Sequence, residues 1–118
     1  VPLHPRRLRF RNFNQSELLA RFLSEHLTPG FPLPILTNTL VRTRFTTPQM
    51  SIHDAQERVE NIRGAFAWQQ KKTQYSSIQG KSVWLIDDVA TTGATLKECA
   101  QILKENGATK VHAIVLAR

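Results

Sequence analysis

The stretch from Val83 to Leu116 leaves little choice of fold. Val83-Trp84-Leu85-Ile86 is a short apolar run of the buried-strand kind, and the polar turn Ala90 to Thr95 follows it. From Thr95 to Asn106, Leu96, Cys99, Ala100 and Leu103 recur at helical spacing. Gly107 stops that pattern, and Val111 to Leu116 reads as a second strand. Two strands joined through a helix of this length pair in parallel with a right-handed crossover, so an α/β sheet is expected. Such sheets bind ligands beyond the carboxyl ends of their strands, which is where Asp87 to Thr95 falls.

The residues at that place suit a sugar phosphate. Asp87 and Asp88 close the strand, and Ala90-Thr91-Thr92-Gly93-Ala94-Thr95 leads straight into the helix. The first N–H groups of a helix lack internal partners and lie at the positive end of its dipole, so a phosphate can collect several of them. Gly93 lets the backbone approach the anion, and the threonine hydroxyls add donors without adding charge. Two ionised carboxylates accept from paired ribose hydroxyls, directly or through water on a divalent cation. Each part alone has a plainer explanation, since a Thr-rich turn is often only an N-cap and paired aspartates are often only solvated. A nucleotide-hydrolase magnesium strand would need a Gly-rich loop with Gly-Lys-Ser/Thr, and the sequence has none.

Upstream, a helix is predicted from about Gln15 to Leu27, with Leu18, Leu19, Phe22, Leu23 and Leu27 turned toward a sheet and Thr28-Pro29-Gly30 as its stop. Phe31 to Pro34 is a rigid extended connector, Ile35 to Arg44 a strand, and Thr46-Thr47-Pro48 a polar loop. A second helix is expected between Ser51 and Phe66, with Val59, Ile62 and Phe66 on one face. With 118 residues the chain is expected to form one domain, and no apolar run approaches the roughly 20 residues that cross a bilayer. The beginning, Val1 to Arg7, lacks an initiating Met and the order of a signal peptide, and reads as clipped from a longer protein.

Charge is unevenly spread. Residues 1 to 72 carry 11 of the 16 Lys and Arg against 5 of the 9 acids, whereas residues 73 to 118 carry 5 against 4. The basic first part favours anionic partners: a pyrophosphate-bearing small molecule, nucleic acid, or counterions alone. The single Cys99 excludes an internal disulfide and a cysteine-based zinc cage, fits a cytoplasmic protein, and reads as a core residue. His4, His26, His53 and His112 show no metal spacing, His112 reads as an outward strand position, and Trp68 and Trp84 read as packing residues.

The run Val83 to Thr95 resembles, over its full length, the 5-phosphoribosyl pyrophosphate (PRPP) binding motif of type I phosphoribosyltransferases. Val1-Pro2-Leu3-His4, Arg6-Arg7, Arg11-Asn12-Phe13-Asn14-Gln15, then Arg42, Arg44, Thr46, Gln49, Arg58, Asn61, Ala65 and Phe66 are similar to the ComF family. Asn12 stands where that family usually has Gly, and Asn tolerates the left-handed backbone a turn there needs. The resemblance implies a type I phosphoribosyltransferase-like fold, a mainly parallel sheet flanked by helices, truncated at its N-terminus. It implies that Asp87 and Asp88 face the ribose, with magnesium held indirectly through water or substrate, and that residues 91 to 95 hold the 5′-phosphate. It further implies that Arg6, Arg7 and Arg11, on a loop after Leu3, lie near the pyrophosphate, and that Arg42, Arg44 and Gln49 belong to a mobile loop closing over the reacting centre. Two function classes follow. One is a PRPP-dependent transferase. The other is a non-catalytic module that senses PRPP or nucleotides, or handles single-stranded DNA during uptake together with competence proteins.

Overall fold

The computed structural model describes residues 1–46, 51–70, 77–90 and 92–117. In chain order the elements are α1 (Pro5–Arg11), α2 (Gln15–Leu27), β1 (Leu40–Arg42), α3 (Ala55–Ile62), β2 (Phe66–Trp68), β3 (Ser82–Val89), α4 (Ala94–Glu105) and β4 (Lys110–Ala117). The strand, helix and strand expected from Val83 onward are all present. β3 and β4 pair in parallel from Ser82 opposite Lys110 to Val89 opposite Ala117, and α4 connects them. β1 and β2 form a separate antiparallel ribbon of three residues each. The architecture is α/β.

One core joins these parts. Leu85 of β3, Cys99 and Leu103 of α4, Leu40 of β1, Ile62 of α3 and Phe66 of β2 are buried together with Ala65, Ile78, Ala94 and Ala108. Burial pushes the Cys99 thiol up to about 12, so it packs as an inert apolar group. Gly107 ends α4 with φ of 109°, and a Cβ there would come 2.2 Å from the Gln79 side chain. Only glycine fits that crossing.

Five expectations change. Residues 5 to 11 are a helix, not a loop. Pro5 occupies its first turn, the His4 ring nitrogen accepts from the Arg6 N–H at 3.2 Å, and Asn12 closes it at φ 65°. The left-handed turn foreseen at Asn12 is therefore formed. α2 has the predicted bounds but a different inner face: Leu18, Phe22 and Leu27 are exposed, whereas Ser16 and Ser24 are buried. The reason is that both hydroxyls find partners inside, and the outer face is closed by Phe22 stacked on His26 at 4.0 Å. The strand proposed for residues 35 to 44 shortens to β1, because its ladder with β2 is only three residues long.

The second helix stops at Ile62, after an Asp54 N-cap, and Arg63-Gly64 turns the chain so that Phe66 pairs with Arg42 as a strand residue. Trp84 is a surface residue, 54% exposed and stacked on His112 at 4.7 Å. Side chains alternate along β3, and its neighbour Leu85 points to the core instead. The expected loop positions Thr47 and Pro48 lie outside the described residues. No helix among the described residues is long and apolar enough to cross a membrane.

Candidate functional site

A cavity of about 380 Å³ opens where β3 ends. Its floor is Asp87 and Asp88, carried on the last turns of the β3 pleat, with Val89 and Ala90 beside them. Thr92, Gly93, Ala94 and Thr95 line it from the N-terminus of α4. Gly93 is the N-cap with φ of 77°, a left-handed conformation that brings the first helical turn over the strand end. The first turn of α4 carries no acidic residue, so its dipole faces the cavity uncompensated. One first-turn donor is already engaged, since the Ala94 N–H is 3.3 Å from Thr92 Oγ1. Thr91 lies outside the described residues.

Asp87 is the more enclosed acid. Burial raises its pKa, opposed chiefly by a hydrogen bond from Ser16. Ser16 Oγ donates to Asp87 Oδ1 at 2.9 Å from the inner face of α2. Val1 lies alongside β3, its backbone nitrogen donating to the Ile86 carbonyl at 2.6 Å.

The cavity also has a basic lining. Arg7, Arg11 and Arg42 line the cavity, and Arg6 and Arg44 do not. Arg7 and Arg42 converge on Thr46: Arg7 Nη2 donates to its carbonyl and Arg42 Nη2 to its hydroxyl. Arg42 is buried on β1, with its guanidinium 5.2 Å from the Phe66 ring centroid and its Nε without a partner among the described residues. It is therefore fixed on a strand and not carried by a mobile loop. Desolvation, and next to it Arg7, lower its pKa, yet a guanidinium stays charged. Among the described residues, Arg11 hydrogen-bonds to Gln15 Oε1 at 3.4 Å.

Arg6 and Arg7 stand over the Phe45 ring at 4.7 and 5.1 Å. Arg44 is spent on the carbonyls of Asn61 and Arg63 at 2.8 and 2.6 Å. Gln49 lies outside the described residues. Partial desolvation, followed by Arg42, Arg6, Arg7 and Arg9, lowers the pKa of His4, which registers the positive field on this side.

Sequence reasoning missed Ser16 and the double role of Thr46. The available signal for Ser16 was the row Ser16, Ala20, Ser24, small residues four apart on one helix face, which lets a strand approach closely. Nothing in the spacing marks Thr46, because its partners come from two distant elements.

Residues 14–118 match the family described as phosphoribosyl transferase domain. The chain belongs to this phosphoribosyl transferase family. Over all 118 residues the domain is 38% identical to the DNA utilization protein YhgH of Escherichia coli (strain K12), covering 47% of that protein. It is 34% identical, again over its full length, to competence protein F of Haemophilus influenzae, covering 48% of it. The ComF resemblance thus runs through the whole chain, which spans about half the length of these relatives. A shorter match, 48% identity over 40 residues, links 34% of the chain to 18% of the orotate phosphoribosyltransferase of Acinetobacter baylyi. No solved structure matches the chain significantly.

Proposed function

We propose that this phosphoribosyl transferase domain binds PRPP and transfers its phosphoribosyl group with release of pyrophosphate. The observation that carries the reading is one shared cavity for three unlike groups: an acid pair, a helix N-terminus and three arginines. Its size lies in the range of small-molecule sites. Thr92 to Thr95, with Thr91 from the motif, take the 5′-phosphate through backbone N–H and hydroxyl groups. Asp87 and Asp88 accept from the ribose hydroxyls, and Arg7, Arg11 and Arg42 take the pyrophosphate.

In the reaction, the bond between the anomeric carbon and a pyrophosphate oxygen breaks, its electron pair leaves with pyrophosphate, and a nucleophile bonds to the carbon. The acid pair stabilises positive character on the ribose ring, and the arginine wall stabilises the departing charge.

Among the described residues no cluster of three or more His, Cys, Asp or Glu is assembled to hold a metal. Two adjacent carboxylates, each of which already accepts through its Oδ1, suit a magnesium ion that keeps water and substrate oxygens as its other ligands. Bound there, Mg²⁺ would neutralise charge on the pyrophosphate. The test is calorimetry with PRPP and magnesium, followed by a screen of nucleobase acceptors for pyrophosphate release. Saturable, magnesium-dependent binding is expected, and its absence overturns the reading.

A second reading, handling of single-stranded DNA, is favoured by α1. That helix has no buried residue and bears Arg6, Arg7, Arg9 and Arg11 with no acid in its first turn, beside a Phe10 that is 89% exposed. A basic, aromatic-bearing surface of this kind suits a nucleic-acid strand, and a name such as DNA utilization protein accords with it. A steep salt dependence of oligonucleotide binding that disappears on neutralising α1 is the expected result.

A further inference from the structure

Asp87 is held by a residue that belongs neither to its strand nor to the phosphate loop. Ser16 Oγ donates to Asp87 Oδ1 at 2.9 Å, and the Asp88 N–H reaches the same oxygen at 3.0 Å. Among the described residues Oδ2 accepts from no N–H or O–H donor. The neighbouring Asp88 carboxyl, which adds to burial in raising the Asp87 pKa, lies close to the same group, so Oδ2 is the oxygen open to a ligand or to a cation between the two acids. The last torsion of an aspartate is soft and roughly two-fold, so strand geometry alone does not fix the plane of the carboxylate. An external donor on one oxygen does. Ser16 is itself held, because its backbone N–H donates to Asn14 Oδ1 at 3.0 Å and Asn14 Nδ2 donates to the Val1 carbonyl at 3.1 Å.

The same helix supplies its own control. Ser24 lies two turns further along the inner face of α2 and is buried like Ser16, at 6% against 5% exposed. Its hydroxyl donates at 2.7 Å to the Leu33 carbonyl, away from the cavity that Ser16 lines. Burial of a serine therefore asks only for an acceptor. What sets Ser16 apart is that its acceptor is a carboxylate facing the cavity, and a carboxylate can only accept, so the hydroxyl must be the donor.

Resting on the phosphoribosyl reading above, we infer that Ser16 is a positioning residue: its hydroxyl fixes the Asp87 carboxylate so that one oxygen is presented to the ribose. The arm that bears Arg7 and Arg11 is thereby keyed through Asn14 and Ser16 to the acid that receives the sugar.

The test measures binding of ribose 5-phosphate and of inorganic phosphate, each with magnesium, to the full chain and to variants. Ser16→Ala should weaken ribose 5-phosphate binding about tenfold, as loss of a hydrogen bond to a charged group does, and change phosphate binding by less than about twofold. Ser24→Ala should leave the ratio of the two affinities unchanged. In an Asp87→Ala background Ser16→Ala should add nothing, since it acts only through that carboxylate. If Ser16→Ala fails to fold, Ser16→Cys, a weak donor of similar shape, should show the same selective loss.

Equal losses for both ligands, no loss for either, or a full loss that persists without Asp87 would overturn the inference. A wild-type chain that fails to prefer ribose 5-phosphate over phosphate removes the phosphoribosyl reading and this inference with it. A wild type that discriminates beside a Ser16→Ala variant that does so equally well removes the inference alone.

Discussion

The two walls of the cavity are built on opposite plans. The acidic wall, Asp87 to Thr95, is contiguous in sequence and rests on β3 and α4, whose Leu85, Cys99 and Leu103 lie in the core. The basic wall is gathered from α1, the Arg11–Gln15 turn and β1, and α1 buries no residue at all. One wall inherits its geometry from the core. On the other, Arg7 and Arg11 sit on an exposed helix held by a few polar bonds and by the Phe45 ring, so those two charges can change with little effect on stability, whereas Arg42 is buried on β1. The difference teaches that the charges of α1 and the stability of the fold are separable.

Four measurements break or sharpen that contrast. The largest effect is expected from Leu103→Ala, which should cost about 2–5 kcal/mol of stability by chemical denaturation, as a buried leucine does. A loss below about 1 kcal/mol would mean that the acidic wall is not anchored as described. Next, Asp87→Asn together with Asp88→Asn should weaken PRPP–magnesium binding roughly hundredfold, about 1.4 kcal/mol for each acid.

The same change should not lower the melting temperature. Burial raises the Asp87 pKa, so its ionised form opposes folding above that pKa, and the penalty is relieved as pH falls toward the unfolded value. A neutral Asn removes it at every pH. Unchanged binding would sink the ribose assignment.

Third, Arg7→Ala with Arg11→Ala should lower pyrophosphate affinity about tenfold more than ribose 5-phosphate affinity, whereas Arg6→Ala, outside the cavity, should leave the ratio alone. Equal losses for both ligands would point to a general field in place of a local wall. The smallest effect concerns His4, whose pKa is lowered. Its neutral ring caps α1, so its contribution is complete above about pH 6.5, the unfolded value, and is lost as pH falls through the folded one. A helix α1 whose amide protection is indifferent to acid in His4→Ala, but not in wild type, is the expected outcome. Equal sensitivity in both would remove His4 from the cap.

The acidic wall was legible because its signals are local. A strand run, a Gly-bearing turn and a 3.6-residue period follow one another within 35 residues, and each is set by backbone geometry. The basic wall was legible only as charge. That Arg7, Arg11 and Arg42 meet at a cavity, while Arg6 lies on Phe45 and Arg44 serves two carbonyls, is decided by pairings between distant segments. The same holds for α2. Its bounds follow from Thr28-Pro29-Gly30 and periodicity, but leucines and phenylalanines exceed one face, and which face turns inward depends on where Asp87 and the Leu33 carbonyl stand. β2 escaped notice because three residues carry no period of their own.

Thr46 gives its backbone carbonyl to one arginine and its hydroxyl to another, and the two arginines come from different elements. A mutation there has consequences of a different grain from a mutation of either arginine. Thr46→Ser keeps both acceptors, whereas Thr46→Val keeps the carbonyl and deletes the hydroxyl, so one codon can release the strand-borne cation while the helix-borne one stays tethered. This residue is a single dial on a pair of charges, reachable without touching a cation.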